Sequence, residues 1–333
     1  MFRKLARFCI QHRWAVLVAW LVLVAIAAPF ALRAHEPLKV GGFSADDTEA
    51  ARGRIAIEEK LDYSLSTLIV VYESDTLDAT DGQFLDQVAA SLADVETLPF
   101  VEDVILPTVD PSLISGSGEI AYAIVGLNLP PEEAQRDVPE FEAAMVPQAD
   151  IEFLIAGGPA FYADIETASQ RDLRRAEVIA LPIALVTLLV VFGTVVAAMV
   201  PLATGAAGVA VVLMVIYWLA HPVDLSIFVL NLATMLGLGL AVDYALFITS
   251  RYREELHRNG GDVEAAIMRA VDTAGRAVFF SGMSVLIGLS GLMLFPLMFL
   301  RSVGVAGVVV VAISTFTSLT LLPALLAVLG SRV

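Results

Sequence analysis

One acid stands alone in an apolar stretch of this chain. Asp243 lies in Leu236-Gly237-Leu238-Gly239-Leu240-Ala241-Val242-Asp243-Tyr244-Ala245-Leu246-Phe247-Ile248, inside an apolar run from about Leu225 to Ser250. It is the only acid between Asp224 and Glu254. At 1.5 Å per residue the run is long enough to span a bilayer. A carboxylate at that depth costs roughly 3 kcal/mol on insertion scales, and it persists where it faces a protein interior or a wet cavity. Burial disfavours the charged form, so such a carboxyl can take a proton from one side and release it to the other as access alternates. The plainer reading is a carboxyl that caps or bridges helices. A helix starting at Leu225 puts Asp243 near its inner end, and one starting at Asn231 puts it near the middle.

Tyr244 follows about 100° round the helix. Its phenol therefore faces a different neighbour and is placed to bond a group on another helix. Gly237 and Gly239 permit close helix approach, with packing as their expected role. On the next span Ser281, Gly282, Ser284 and Gly288 supply small residues of the kind helix interfaces use. Ser281 or Ser284 is a candidate hydrogen-bond donor to Asp243. Asn231 and Thr234 are further polar groups within the apolar run. No His/Cys cluster has metal spacing, and no GxxxxGK[ST] or strand–GxGxxG–helix pattern is present. With no nucleophile–base set either, an enzyme is not expected. Any work must draw on an ion gradient, with protons as the coupling ion and no cofactor.

The rest of the chain has to position that carboxyl. Its 58% hydrophobic content exceeds the 45–50% or so of soluble domains and points to a membrane protein. Between Ala34 and Asp172 there are 28 acids and 6 bases, a net of −22 that leaves +6 elsewhere. This split predicts an acidic soluble domain beside a membrane domain with basic flanks, and it excludes nucleic acid as a partner. Cys9 is the single cysteine, so no internal disulfide framework exists. Arg3, Lys4, Arg7 and Arg13 precede an apolar Trp14–Leu32. That core is longer than a signal peptide's and reads as a retained span with a cytoplasmic N-terminus.

Residues 34–173 then fall outside the cytoplasm. Ala45–Leu61 reads as an amphipathic helix. After it, Leu68–Glu73, Val101–Pro107, Ile120–Leu127 and Ile151–Ala156 read as strands, with helices at Gly82–Ala93 and Pro131–Val146. The order βαββαβ is the split βαβ, or ferredoxin-like, unit. Residues 174–333 carry five more spans: Glu177–Val196, Val200–Ala220, the one holding Asp243, Ala277–Phe299 and Gly304–Leu329. An amphipathic helix is expected over 251–276, where five arginines meet five acids on the cytoplasmic face. Arg301 is expected at the outer interface between the last two spans. The link at Gly193–Pro201 is also cytoplasmic in this topology although it carries no base. The fold class is thus six transmembrane helices plus an extracytoplasmic α+β domain.

With these motifs placed, the chain resembles the amino-terminal half of an RND-superfamily transporter of the MmpL branch. The resemblance rests on Gly41-Gly42-Phe43 and Thr48-Glu49-Ala50-Ala51-Arg52, and on GLGLAVDYALFITSRYREEL over Gly237–Leu256. AGRAVFFSG over Ala274–Gly282 and LTLLPALLA over Leu319–Ala327 add to it. It implies a proton relay of Asp243 and Tyr244 that meets its counterpart in a second repeat, and a porter domain handling lipid or other hydrophobic cargo. The sequence itself holds one repeat, so the implied partner is a second repeat, a second copy of the chain or a separate half. The expected setting is a bacterial cytoplasmic membrane, with membrane lipids around the chain. Two rivals use a similar fold: a sterol-sensing-like regulator or assembly factor, which needs no titrating acid, and a SecDF-like protein-export helper, whose fourth-span motif differs from Asp243-Tyr244.

Overall fold

A computed structural model describes residues 1–39, 41, 42, 49, 52, 53, 56, 57, 60 and 64–333. Most of the amphipathic helix expected over Ala45–Leu61, and half of the motif after the first span, lie outside the described residues. The chain divides into two compact units, residues 1–43 with 171–333, and residues 44–170.

The smaller unit is built on a four-stranded antiparallel sheet. Its elements are β1 (Ser66–Glu73), α3 (Gly82–Ser91), β2 (Val101–Ile105), β3 (Ile120–Leu127), the short helices α4 (Pro131–Ala134) and α5 (Val138–Ala144), and β4 (Glu152–Gly157). The strands lie in the order β2-β3-β1-β4. Successive side chains of a strand point to opposite faces; in β1 this buries Leu68, Val70 and Tyr72, and in β3 Ala121, Ala123 and Val125. Phe84 and Val88 of α3 and Phe141 of α5 belong to the same core. Tyr72 places its hydroxyl 2.8 Å from Ser91 Oγ, and burial pushes its phenol up to about 12. One helix was expected over Pro131–Val146, but the chain turns between α4 and α5. Pro139 has no N–H to donate to the preceding turn, and its ring crowds that turn's carbonyl, which favours the break in this short segment.

Gly157, at the end of β4, has φ +113°, and a Cβ on it would lie 2.4 Å from the carbonyl oxygen of Thr67. Neither the backbone angle nor that strand carbonyl can yield cheaply. Gly157→Val is expected to destabilise this unit by on the order of 3 kcal/mol. Limited proteolysis of the membrane-embedded protein checks it: cleavage within residues 64–170 should accelerate strongly, and an unchanged rate would contradict the reading of this corner.

The membrane unit begins with α1 (Phe2–Gln11) and α2 (Arg13–Leu32). It resumes with α6 (Gly158–Phe192), α7 (Val195–Leu219), α8 (Val229–Arg258), α9 (Val263–Ala270), α10 (Arg276–Ser290) and α11 (Met298–Leu329). Among the described residues six helical stretches are long and apolar enough to cross a membrane: α2, α6, α7, α8, the run Val263–Leu294 and α11 with the short turn after it. This makes the chain a multi-pass membrane protein. Of the six, α11 is the most enclosed and α2, α6 and α10 the least.

Several boundaries differ from the sequence reading. The link expected at Gly193–Pro201 shrinks to Gly193-Thr194, because α7 starts at Val195 and holds Pro201 inside it. The single amphipathic helix expected over 251–276 is instead the end of α8 followed by α9, because Gly260 and Gly261 adopt positive φ and break the rod. Between α9 and α10 runs a π-helical turn, Val271–Gly275, where a Cβ on Gly275 would lie 3.0 Å from Leu319 of α11. Finally, α10 stops at Ser290, and a tight turn and Pro296 separate it from α11, which starts at Met298. Arg301 thus lies in the first turn of α11 rather than between two spans.

Candidate functional site

Two faces of α8 carry the candidate groups. One stripe, Ala233, Gly237, Ala241 and Ala245, is buried, with Tyr244, Ile248 and Tyr252 beside it. These residues recur about one helical turn apart, so they form one side of the rod. Small residues there let α7 approach: a Cβ on Gly237 would lie 3.3 Å from Val209 and 3.7 Å from Val310 of α11. The opposite stripe, Met235, Gly239, Asp243 and Phe247, is exposed. Asp243 is two residues, about 200°, from Ala241 and from Ala245, so packing that buries the alanines turns the carboxylate outward. Asp243 therefore does not face the interior of this chain. It forms no hydrogen bond or salt bridge with the described residues, and it falls halfway along a helix that starts at Val229. Gly239, one turn away, meets nothing within 4 Å. It packs against none of the described residues, unlike Gly237.

Tyr244 points the other way and is 7% exposed. Its hydroxyl lies 3.5 Å from the place a Cβ on Gly282 would take, and Thr315 Oγ1 of α11 lies 2.6 Å from the same point. Gly282 of α10 thus leaves the gap into which the phenol and the threonine hydroxyl project. Thr315 Oγ1 is buried beside the Tyr244 hydroxyl and is the side-chain group with which that phenol can hydrogen-bond. Thr315 was missed in the sequence, although Ser314, Thr317, Ser318 and Thr320 around it marked α11 as unusually rich in hydroxyls. The serines of α10 do not reach Asp243. Ser284 donates to the carbonyl of Phe280 in its own helix, and Ser281 is exposed and unbonded among the described residues.

Below the relay candidates, α8 ends in an ionic cluster. Glu255 is 2% exposed; Arg251 approaches one of its oxygens at 2.6 Å and Arg269 of α9 the other at 3.4 Å. Burying a carboxylate is tolerable here because these two guanidinium groups, with that of Arg258 at 3.9 Å, compensate it. Arg253 donates to the carbonyl of Phe192 at the end of α6 at 2.8 Å and stacks over its ring. The cluster therefore ties α8 to both α9 and α6.

The sequence from residue 43 to residue 333 matches the MMPL family. The chain belongs to the MMPL family. Its relatives include the mycolic acid-containing lipids exporter MmpL11 of Mycolicibacterium smegmatis, 30% identical over 338 residues that cover 96% of this chain and 34% of the relative. The trehalose monomycolate exporter MmpL3 of the same organism is 43% identical over 162 residues, 49% of this chain and 16% of that protein. This MMPL chain thus spans about a third of the length of MmpL11. Its fold is similar to that of SecDF in a crystal structure of the super-membrane-facing form, with a TM-score of 0.52 at 15% identity, covering 97% of this chain and 38% of that one. A likeness at that identity is one of fold.

Proposed function

We propose that this chain is one repeat of a proton-driven exporter of lipid or similar hydrophobic cargo. The observation that carries the reading is the exposed stripe Met235, Gly239, Asp243 and Phe247 on a membrane-spanning helix. A carboxylate facing hydrocarbon costs several kcal/mol, whereas one facing a second repeat across a polar seam does not. Gly239 leaves room for that neighbour to approach closely. Asp243 is then the group that takes and releases the coupling proton, and Tyr244 is the hydrogen-bonding group that passes the change to Gly282 and Thr315. The neighbour is a second repeat, whether in the same polypeptide, in a further copy of this chain or in a separate half. Membership of the MMPL family and two relatives named as exporters support the cargo class.

The strand order and element order of the smaller unit fit a ferredoxin-like porter domain on the extracytoplasmic side. The basic residues of α1 support a cytoplasmic N-terminus for a chain set in a bacterial inner membrane. A regulator built on the same fold would have no use for the acid at Asp243. Transport of a fluorescent phospholipid in proteoliposomes under an imposed pH gradient tests the reading. Tyr244→Phe is expected to slow that transport severalfold without stopping it, because it removes one hydrogen bond and leaves the titrating group. Transport that ignores the pH gradient would contradict the proposal.

A further inference from the structure

Away from Asp243, the membrane unit carries a two-armed apolar groove. Its floor is α11. One arm, about 310 Å³, runs between α11 and α10 past Met283, Leu286 and Ala312. The other, about 330 Å³, runs between α11 and α2 past Ala19, Trp20 and Leu23. Both arms include Leu5, Phe316 and Thr320, so they meet beneath α1 with Phe316 as the ridge between them. The hydroxyl of Thr320 is already satisfied: it accepts from Trp20 Nε1 and donates to the Phe316 carbonyl. The walls therefore offer hydrocarbon and little else, apart from Thr315 Oγ1 in the first arm.

The roof is charged. Amphipathic α1 buries Ala6, Cys9 and Ile10 and exposes Arg3, Lys4 and Arg7. Arg3 is paired with Asp272 at 2.8 Å. Lys4 lies one helical turn from Phe8, which lines the second arm, and Arg7 one turn from Lys4; neither has an ion-pair partner among the described residues. An interfacial helix of this type holds anionic headgroups while its apolar side faces acyl chains.

We infer that this groove is a binding site for one two-chained anionic phospholipid, its chains astride Phe316 and its headgroup at Lys4 and Arg7. Two arms meeting under one cationic roof match two chains meeting at one headgroup. The site belongs to the leaflet in which α1 lies. Its first arm shares Gly282 and Thr315 with the surroundings of Tyr244, so an acyl chain there lies against the same residues as the phenol.

Native mass spectrometry after extraction from nanodiscs tests this without reference to transport. The nanodiscs contain equal dioleoyl phosphatidylglycerol and dioleoyl phosphatidylcholine, with mono-oleoyl phosphatidylglycerol as a competitor. One phosphatidylglycerol should be retained in preference to phosphatidylcholine. Lys4→Gln and Arg7→Gln should each weaken retention about fivefold. Ala312→Trp fills the first arm from an exposed position that the fold tolerates, and it should abolish retention. Equal retention of the two headgroups, undiminished retention in Ala312→Trp, or displacement by the single-chain competitor as readily as by the two-chain lipid would each overturn the assignment.

Discussion

Replacing Asp243 with asparagine is expected to reduce pH-gradient-driven transport to that of protein-free vesicles, while the protein still inserts and folds. Asparagine has nearly the same shape, and the carboxylate it replaces holds no hydrogen bond or salt bridge among the described residues. No packing is lost within the chain. Removing a charge from a membrane face should, if anything, ease insertion. What disappears is the only titratable carboxyl between Asp224 and Glu254. Transport assays alongside thermal melting separate the two effects: unchanged melting with no transport is the expected pair. Substantial gradient-driven transport by the variant would remove Asp243 from the mechanism.

Gly239→Trp is expected to be as damaging to transport, for a different reason. Nothing lies within 4 Å of the position, so the large side chain enters open space and the fold of this repeat stays intact. Replacing a helix-interior glycine should even favour the helix by a few tenths of a kcal/mol. If a second repeat closes over Asp243, the indole occupies its seat, and both association and transport fail. The contrast is Gly237→Trp, two residues along, where Val209 and Val310 already fill the space and the helix bundle itself would be forced apart. Crosslinking of the assembled protein reads out association. A Gly239→Trp variant that assembles and transports normally would show that this stripe faces lipid.

The sequence made the number and approximate place of the spans legible, because each needs a long apolar run. Strand positions in the smaller unit were legible from short β-branched runs bounded by polar turns, as in Leu68–Glu73. Element ends were less so. Pro139 and the Gly260-Gly261 pair break helices that hydropathy alone draws as continuous, and both breaks were readable as turn chemistry. The orientation of Asp243 was not legible in the same way. Whether a polar residue faces inward depends on which neighbours the helix packs against, and the alanines at 241 and 245 decide that only once α7 and α11 are in place. Thr315 escaped for a related reason: its closeness to Tyr244 depends on Gly282, a residue on a third helix.

The most direct test of the central claim is infrared difference spectroscopy of the membrane-embedded, assembled protein as the pH is stepped. Asp243 as the proton carrier predicts a carboxylic-acid carbonyl band that appears and vanishes reversibly with pH and is missing in Asp243→Asn. A spectrum in which that variant is indistinguishable from the wild-type protein would show that the coupling proton resides elsewhere.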